Sequence, residues 1–61
     1  MAVPIDDQVK CVEREISMRE RVYPRWIEAK RMTQKKADQE IEAMRAVLDT
    51  LKNIQFTERL I

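Results

Sequence analysis

The sequence predicts an all-α fold: a two-helix antiparallel hairpin, with its first helix kinked at Pro24, that assembles into a homo-oligomeric helical bundle. Each half of the chain carries one stripe of apolar residues in alternating steps of three and four, which is the spacing of a coiled-coil seam. A short basic stretch separates the stripes, as expected of a turn. Glycine is absent from all 61 residues, which excludes P-loops, Rossmann fingerprints and type I′ hairpins. The stripes consist of Val9, Val12, Ile16, Tyr23 and Trp26, with Arg19 at one apolar position, and of Ala37, Ile41, Met44, Leu48 and Leu51.

Helix 1 is predicted over about residues 7–30 and the turn over about residues 29–33. Asp6 or Asp7 is the expected N-cap, because a carboxylate there accepts backbone N–H groups and suits the positive end of the helix dipole. Lys30 lies where a cation suits the negative end of that dipole.

Pro24 falls inside this predicted helix, where proline removes one backbone hydrogen bond and costs about 3 kcal/mol. The helix either continues with a kink or stops at Val22 and restarts with Pro24 as its first residue. The three- and four-residue spacing of the first apolar stripe continues past Pro24, because Tyr23 and Trp26 both fall in register with it. A continuous helix kinked at Pro24 is therefore the favoured alternative.

Helix 2 is predicted over about residues 34–53, with Thr33 as its N-cap. Asn53 is the expected residue after its end, since asparagine tolerates the left-handed conformation that often ends helices. The tail, residues 54–61, is apolar enough that it is expected to pack against this or another subunit. Its apolar side chains include Phe56, Leu60 and Ile61.

Small size indicates that the hairpin needs additional stabilisation. A chain of this length buries only about 60% of the surface that its unfolded form exposes. Cys11 is the only cysteine, so no disulfide forms within the chain, and we expect it as a small buried residue near the seam. Oligomerisation is the remaining way in which so small a hairpin can be stabilised. Met18, Val22, Met32 and Val47 lie off the main stripes and predict a second apolar face that meets another hairpin.

Charge is unevenly distributed along a chain of net charge +1. Residues 14–36 carry eight basic and three acidic side chains, so the half near the turn is basic. This pattern is typical of an ordinary solvated surface, but it also suits contact with phosphate groups. Candidate ligand-binding residues are Arg19, Arg21, Tyr23, Arg25 and Trp26, with arginines pairing with an anion and aromatic rings stacking. Candidate nucleic-acid contacts are Arg21, Arg25, Lys30, Arg31, Lys35 and Lys36.

Arg19 occupies a seam position with three possible roles. Its guanidinium can extend outward over its aliphatic stem, pair with Glu40 to fix the hairpin register, or face a ligand.

Catalysis, metal binding and membrane insertion have no support in the sequence. No histidine is present to act as a base or zinc ligand, so no catalytic residue, metal or cofactor is expected. No apolar run approaches the roughly 20 residues of a membrane span. The N-terminus is not a secretory signal, and a lone cysteine fits the cytoplasm.

Residues 14–27 (REISMRERVYPRWI), 32–34 (MTQ) and 37–44 (ADQEIEAM) resemble small uncharacterised helical-hairpin proteins encoded by bacteriophages and prophages. Those proteins carry similar Met-Arg, Val-Tyr-Pro and Ala…Glu-Ile…Met patterns, and they often have glycine in the turn, where this chain has Glu28-Ala29-Lys30-Arg31. The resemblance implies a phage origin, the host-cell cytoplasm and an accessory role.

By analogy with other small helical phage oligomers, the chain is expected to bind a host protein or to sequester a small anionic, nucleotide-like ligand in evasion of host defence. A small nucleic-acid-binding regulator is the alternative.

Overall fold

The computed structural model describes residues 2–60 and contains two α-helices that pack against each other. Helix α1 spans Ile5–Glu28 and helix α2 spans Gln34–Arg59. Gln55 near the end of α2 bonds to Asp6 near the start of α1, so the helices run antiparallel. No strand occurs within residues 2–60. The prediction of an all-helical hairpin is confirmed, and the molecule is a rod of 48 × 19 × 17 Å.

Helix α1 begins earlier than predicted, and neither aspartate caps it. Pro4 is the N-cap, with φ −55° and ψ 146°, and its carbonyl accepts the N–H groups of Asp7 and Gln8, both at 3.1 Å. Proline suits the position because its missing N–H has no partner to lose there. Asp6 and Asp7 therefore lie in the first turn, where their charges still favour the helix dipole.

Helix α1 is continuous through Pro24, and no break occurs at Val22. It ends at Glu28, two residues before the predicted end at Lys30, in a Schellman motif. The Lys30 N–H donates to the Ile27 carbonyl at 3.0 Å, and the Arg31 N–H donates to the Trp26 carbonyl at 2.8 Å. This geometry places Lys30 in the left-handed region, with φ 61°.

Helix α2 begins as predicted but extends past its predicted end. The Thr33 hydroxyl oxygen accepts the Lys36 N–H at 3.1 Å, which confirms Thr33 as the N-cap. Asn53 does not end the helix, because α2 continues to Arg59. Gln55 donates to the Asp6 carboxylate at 2.6 Å, so contacts with the start of α1 stabilise the additional turns.

The core is a thin seam between the helices. Its buried side chains are Val9, Ile16, Tyr23 and Ala37, all of which belong to the predicted stripes. Trp26, also expected in the seam, is instead 43% exposed. Cys11 was expected to be buried and is exposed. In the tail, Phe56 and Leu60 are also exposed rather than packed within the chain, and Ile61 lies outside the described residues.

Candidate functional site

One face of the hairpin exposes large apolar side chains, and we call it the apolar face. Near the turn it contains a cavity of about 310 Å³ lined by Met18, Val22, Trp26 and Met32. The first three residues follow one another in steps of four, so they form a ridge on α1. The Trp26 ring lies against Tyr23, with ring centroids 5.7 Å apart and planes inclined by 37°. Three of the four residues predicted to form a second apolar face thus line one cavity.

The apolar face continues toward the open end of the hairpin. Ile54 lines a second cavity together with Val3. Val47 lies seven residues after Glu40, which borders the first cavity, and seven before Ile54, so helical periodicity places all three on one side of α2. Val47 is 46% exposed and Ile54 is 45% exposed. Large apolar surface is therefore available along most of the rod.

A network of charged side chains crosses the middle of this face. Arg19 Nε donates to Glu15 Oε1 at 3.3 Å, and its Nη1 donates to the Tyr23 hydroxyl at 3.3 Å. Arg19 Nη1 also lies 3.9 Å from Glu40 Oε2, and Lys36 Nζ lies 3.1 Å from Glu40 Oε1. The Arg19–Glu40 pair, one of the three roles considered for Arg19, is present, but the closer partner of Arg19 is Glu15.

The hydrogen bond from Glu15 raises the pKa of Arg19 above its ordinary value, against a smaller lowering by desolvation and with a further rise from Tyr23. Arg19 remains charged, and its donors are directed at partners within the chain. The network contains two cations and two carboxylates, so it adds no net charge to the apolar face.

The other side of the hairpin contains a groove between the helices, which we call the acidic groove. It has a volume of about 670 Å³. Its lining residues recur in steps of three and four on both helices, as expected of two facing helix surfaces. Its apolar residues are Tyr23, Pro24, Ile27, Ala37 and Ile41.

Carboxylates dominate the rim of the acidic groove. Arg45 Nη2 binds Glu20 Oε2 at 2.9 Å across one end of the groove, and Gln34 donates to Asp38 at 2.9 Å near the other. Glu28 and Glu42 also line the groove, and within residues 2–60 neither they nor Asp38 form an ion pair. The pattern of either helix alone did not predict this groove, because its carboxylates come from both helices.

The structure brings together three of the five predicted ligand-binding residues. Arg19, Tyr23 and Trp26 all line the cavity near the turn on the apolar face, where Tyr23 is buried and Arg19 is held by Glu15. Arg21 borders a different shallow cavity, together with Cys11 and Arg14. Arg25 is exposed but lines none of these cavities.

The predicted nucleic-acid contacts are exposed around the turn and on the outer side of α1. Lys36 is engaged with Glu40. The other residues make no ion pair with any residue in the described part of the chain; they are Arg21, Arg25, Lys30, Arg31 and Lys35.

Across residues 2–60, no group of three or more cysteine, aspartate or glutamate side chains is arranged to hold a metal ion. Among the residues described, neither α1 nor α2 contains an apolar stretch that could span a lipid bilayer. No protein-family model, curated protein or solved structure matches this chain.

Proposed function

We propose that this chain is a non-enzymatic binding protein whose hairpins self-associate through the apolar face, and that the assembly binds a protein partner. The observation that supports self-association is the line of exposed apolar side chains along one side of the rod. Met18, Trp26, Val47 and Ile54 are each more than 40% exposed. Contiguous apolar surface of this kind marks interaction sites.

Surface area supports the same proposal. The hairpin exposes 5144 Å². A compact monomer of 7.3 kDa exposes about 4200 Å², so the excess is roughly 1000 Å². A standard protein interface buries about 800 Å² on each partner. One interface along the apolar face would therefore remove most of the excess.

The charge network is compatible with a covered face. Arg19, Glu15, Glu40 and Lys36 neutralise one another within the chain, so a second hairpin need not supply a counter-ion. Each half-buried charge already has a hydrogen-bonding or ionic partner, which lowers the cost of removing it from water.

A protein partner is favoured over a small anion because each cavity that a cation lines is also lined by carboxylates. Arg45 is the cation on the acidic groove, and it is bound to Glu20. The resemblance to phage proteins supports an accessory role in the host-cell cytoplasm, and analogy with other small helical phage oligomers extends that role to evasion of host defence.

Sedimentation velocity on two matched variants tests the proposal. Val47→Lys places a charge on the apolar face, whereas Ala46→Lys adds the same charge one residue away, on an exposed outer position. We expect wild type and Ala46→Lys to sediment as oligomers and Val47→Lys to shift to monomer. A cooperatively folded wild-type monomer at high micromolar concentration would contradict the proposal.

A nucleic-acid-binding regulator is the second candidate, supported by the uncommitted cations Arg21, Arg25, Lys30, Arg31 and Lys35. A labelled random-sequence duplex, titrated at two salt concentrations, tests it. Binding through phosphates should weaken steeply with salt and with a joint Arg21→Gln and Arg25→Gln change. Absence of binding at low salt would exclude this candidate.

A further inference from the structure

We propose that the acidic groove binds a basic amphipathic α-helix of a partner protein, with its apolar side chains on the groove floor and lysine or arginine at the rim. This inference deepens the proposed binding function, because it names the chemistry of the partner. The site lies on the side of the hairpin opposite the apolar face, so it stays open when hairpins self-associate through that face.

The dimensions of the groove fit a helix. Its lining runs from Gln34 to Arg45 on α2, a length of about 16 Å. That length accommodates about three turns of a docked helix, which presents apolar anchors at positions i, i+3 or i+4, and i+7. The two parallel rows of lining residues, one on each helix, leave an open trough rather than a closed pocket.

The floor of the acidic groove is apolar and its rim is negatively charged, so one occupant must offer apolar side chains to the floor and cations to the rim. Tyr23, Ile27 and Ile41 offer apolar contact on the floor. Glu28, Asp38 and Glu42 offer carboxylates that are not neutralised by a cation within residues 2–60. An occupant with apolar residues in the middle and cations at both sides satisfies both.

Pro24 adds an acceptor on the groove wall. Residue 24 has no N–H, so the Glu20 carbonyl lacks the donor that an uninterrupted helix provides. Side-chain carboxylates and this backbone oxygen are all acceptors. The groove is therefore matched to a partner rich in donors, which lysine and arginine supply without any acceptor of their own.

The acidic character is local, because the whole chain has a net charge of +1. Attraction of a basic helix to this groove therefore does not follow from the overall charge of the protein.

When self-association covers the apolar face, a further copy of the chain is a poorer occupant. Its exposed apolar residues away from the apolar face are Phe56 and Leu60, at the end of α2. The cations beside them are already paired, Lys52 with Glu13 at 3.8 Å and Arg59 with Asp6 at 3.7 Å.

Fluorescence anisotropy with two synthetic peptides tests the inference. Each peptide is a fluorescein-labelled helix of about four turns with leucine at i, i+3, i+4 and i+7. The remaining positions are lysine in one peptide and glutamate in the other. We expect full-length protein to bind the lysine peptide and not the glutamate peptide.

Matched variants assign the site. Glu28→Gln with Glu42→Gln removes two rim charges and should weaken binding of the lysine peptide by about three- to tenfold, as for two exposed ion pairs. Asp7→Asn with Glu58→Gln removes two charges outside the groove and should leave the affinity unchanged. Circular dichroism establishes that both double variants are folded.

Three results would overturn the inference. The two peptides bind equally; the Glu28/Glu42 variant binds as wild type does; or that variant alters the sedimentation of the peptide-free protein, which would make a second copy the occupant. Val47→Lys separates this inference from the proposed self-association. If the Val47→Lys protein is monomeric and still binds the lysine peptide, the groove proposal is supported. If the wild-type protein is a monomer that binds the peptide, self-association is refuted and the groove proposal stands.

Discussion

Truncation of Ile16 is expected to remove a large share of the stability of the hairpin. Ile16 is 5% exposed and lies in the middle of the seam. Ile16→Ala deletes three carbon groups, a loss of about 2.4 kcal/mol in transfer free energy at about 0.8 kcal/mol each. The cavity that remains brings the expected cost to about 2–5 kcal/mol. A protein of 61 residues has a total stability of about 3–9 kcal/mol.

The assay is thermal unfolding followed by circular dichroism, at one fixed protein concentration. A loss of 2.4 kcal/mol corresponds to a fall in Tm of about 10–20 °C for a domain of this size. Leu60→Ala is the matched control, because it deletes the same number of carbon groups from a side chain that is 71% exposed. Its expected cost is below about 0.5 kcal/mol. Equal Tm changes for the two variants would refute the assignment of the core to this seam.

Three further predictions concern the helix ends and Pro24. Thr33→Ala removes the acceptor of the Lys36 N–H and should cost about 1 kcal/mol in urea unfolding, whereas Thr33→Ser should retain most of it. Lys30→Gly should stabilise by about 0.5–1 kcal/mol, because glycine adopts φ 61° without steric cost, and an equal gain from Lys30→Ala would contradict this reason. Pro24→Ala restores the N–H beneath the Glu20 carbonyl, so it should raise the Tm and weaken binding of the lysine peptide; unchanged affinity would leave Pro24 without a role in the groove.

On α1 the heptad pattern predicted one set of seam positions well and the alternate set, which includes Arg19 and Trp26, less well. An α-helix has 3.6 residues per turn, so a seven-residue repeat rotates by about 20° per heptad. Val9, Ile16 and Tyr23 start close to the partner helix and remain buried. Positions at the edge of the stripe rotate away from it, so Arg19 is half-buried and Trp26 is exposed. Periodicity identifies the stripe, but the drift determines which of its members reach the interior.

Helix ends depended on contacts that the local sequence does not contain. Thr33 was predictable because its cap involves only residues three apart. Beyond Asn53, Gln55 and Arg59 contact Asp6, which is far from them in sequence. The tendency of asparagine to follow the end of a helix is a weak local signal, and no local pattern predicts contacts of this kind.

The apolar face was predictable in part from Met18, Val22 and Met32, because their spacing departs from the main stripes. The acidic groove was not predicted, because it needs Glu28 from one helix and Glu42 from the other at the same time. Single-helix patterns cannot show which side of a hairpin two such residues share. The relative rotation of the two helices, which the structure supplies, decides it.

The elongated shape of the hairpin makes it an electric dipole. Residues 17–46, at the turn end, carry eight basic and five acidic side chains, while residues 2–16 and 47–60 carry four basic and six acidic ones. These opposite excesses are separated along a rod 48 Å long. Two rods lying side by side attract each other most when the turn end of one meets the open end of the other. Ions screen this preference beyond about 8 Å at physiological ionic strength, so it orients neighbouring hairpins only at close range. Self-association along the apolar face would accordingly be antiparallel and, being two-fold symmetric, closed at two copies.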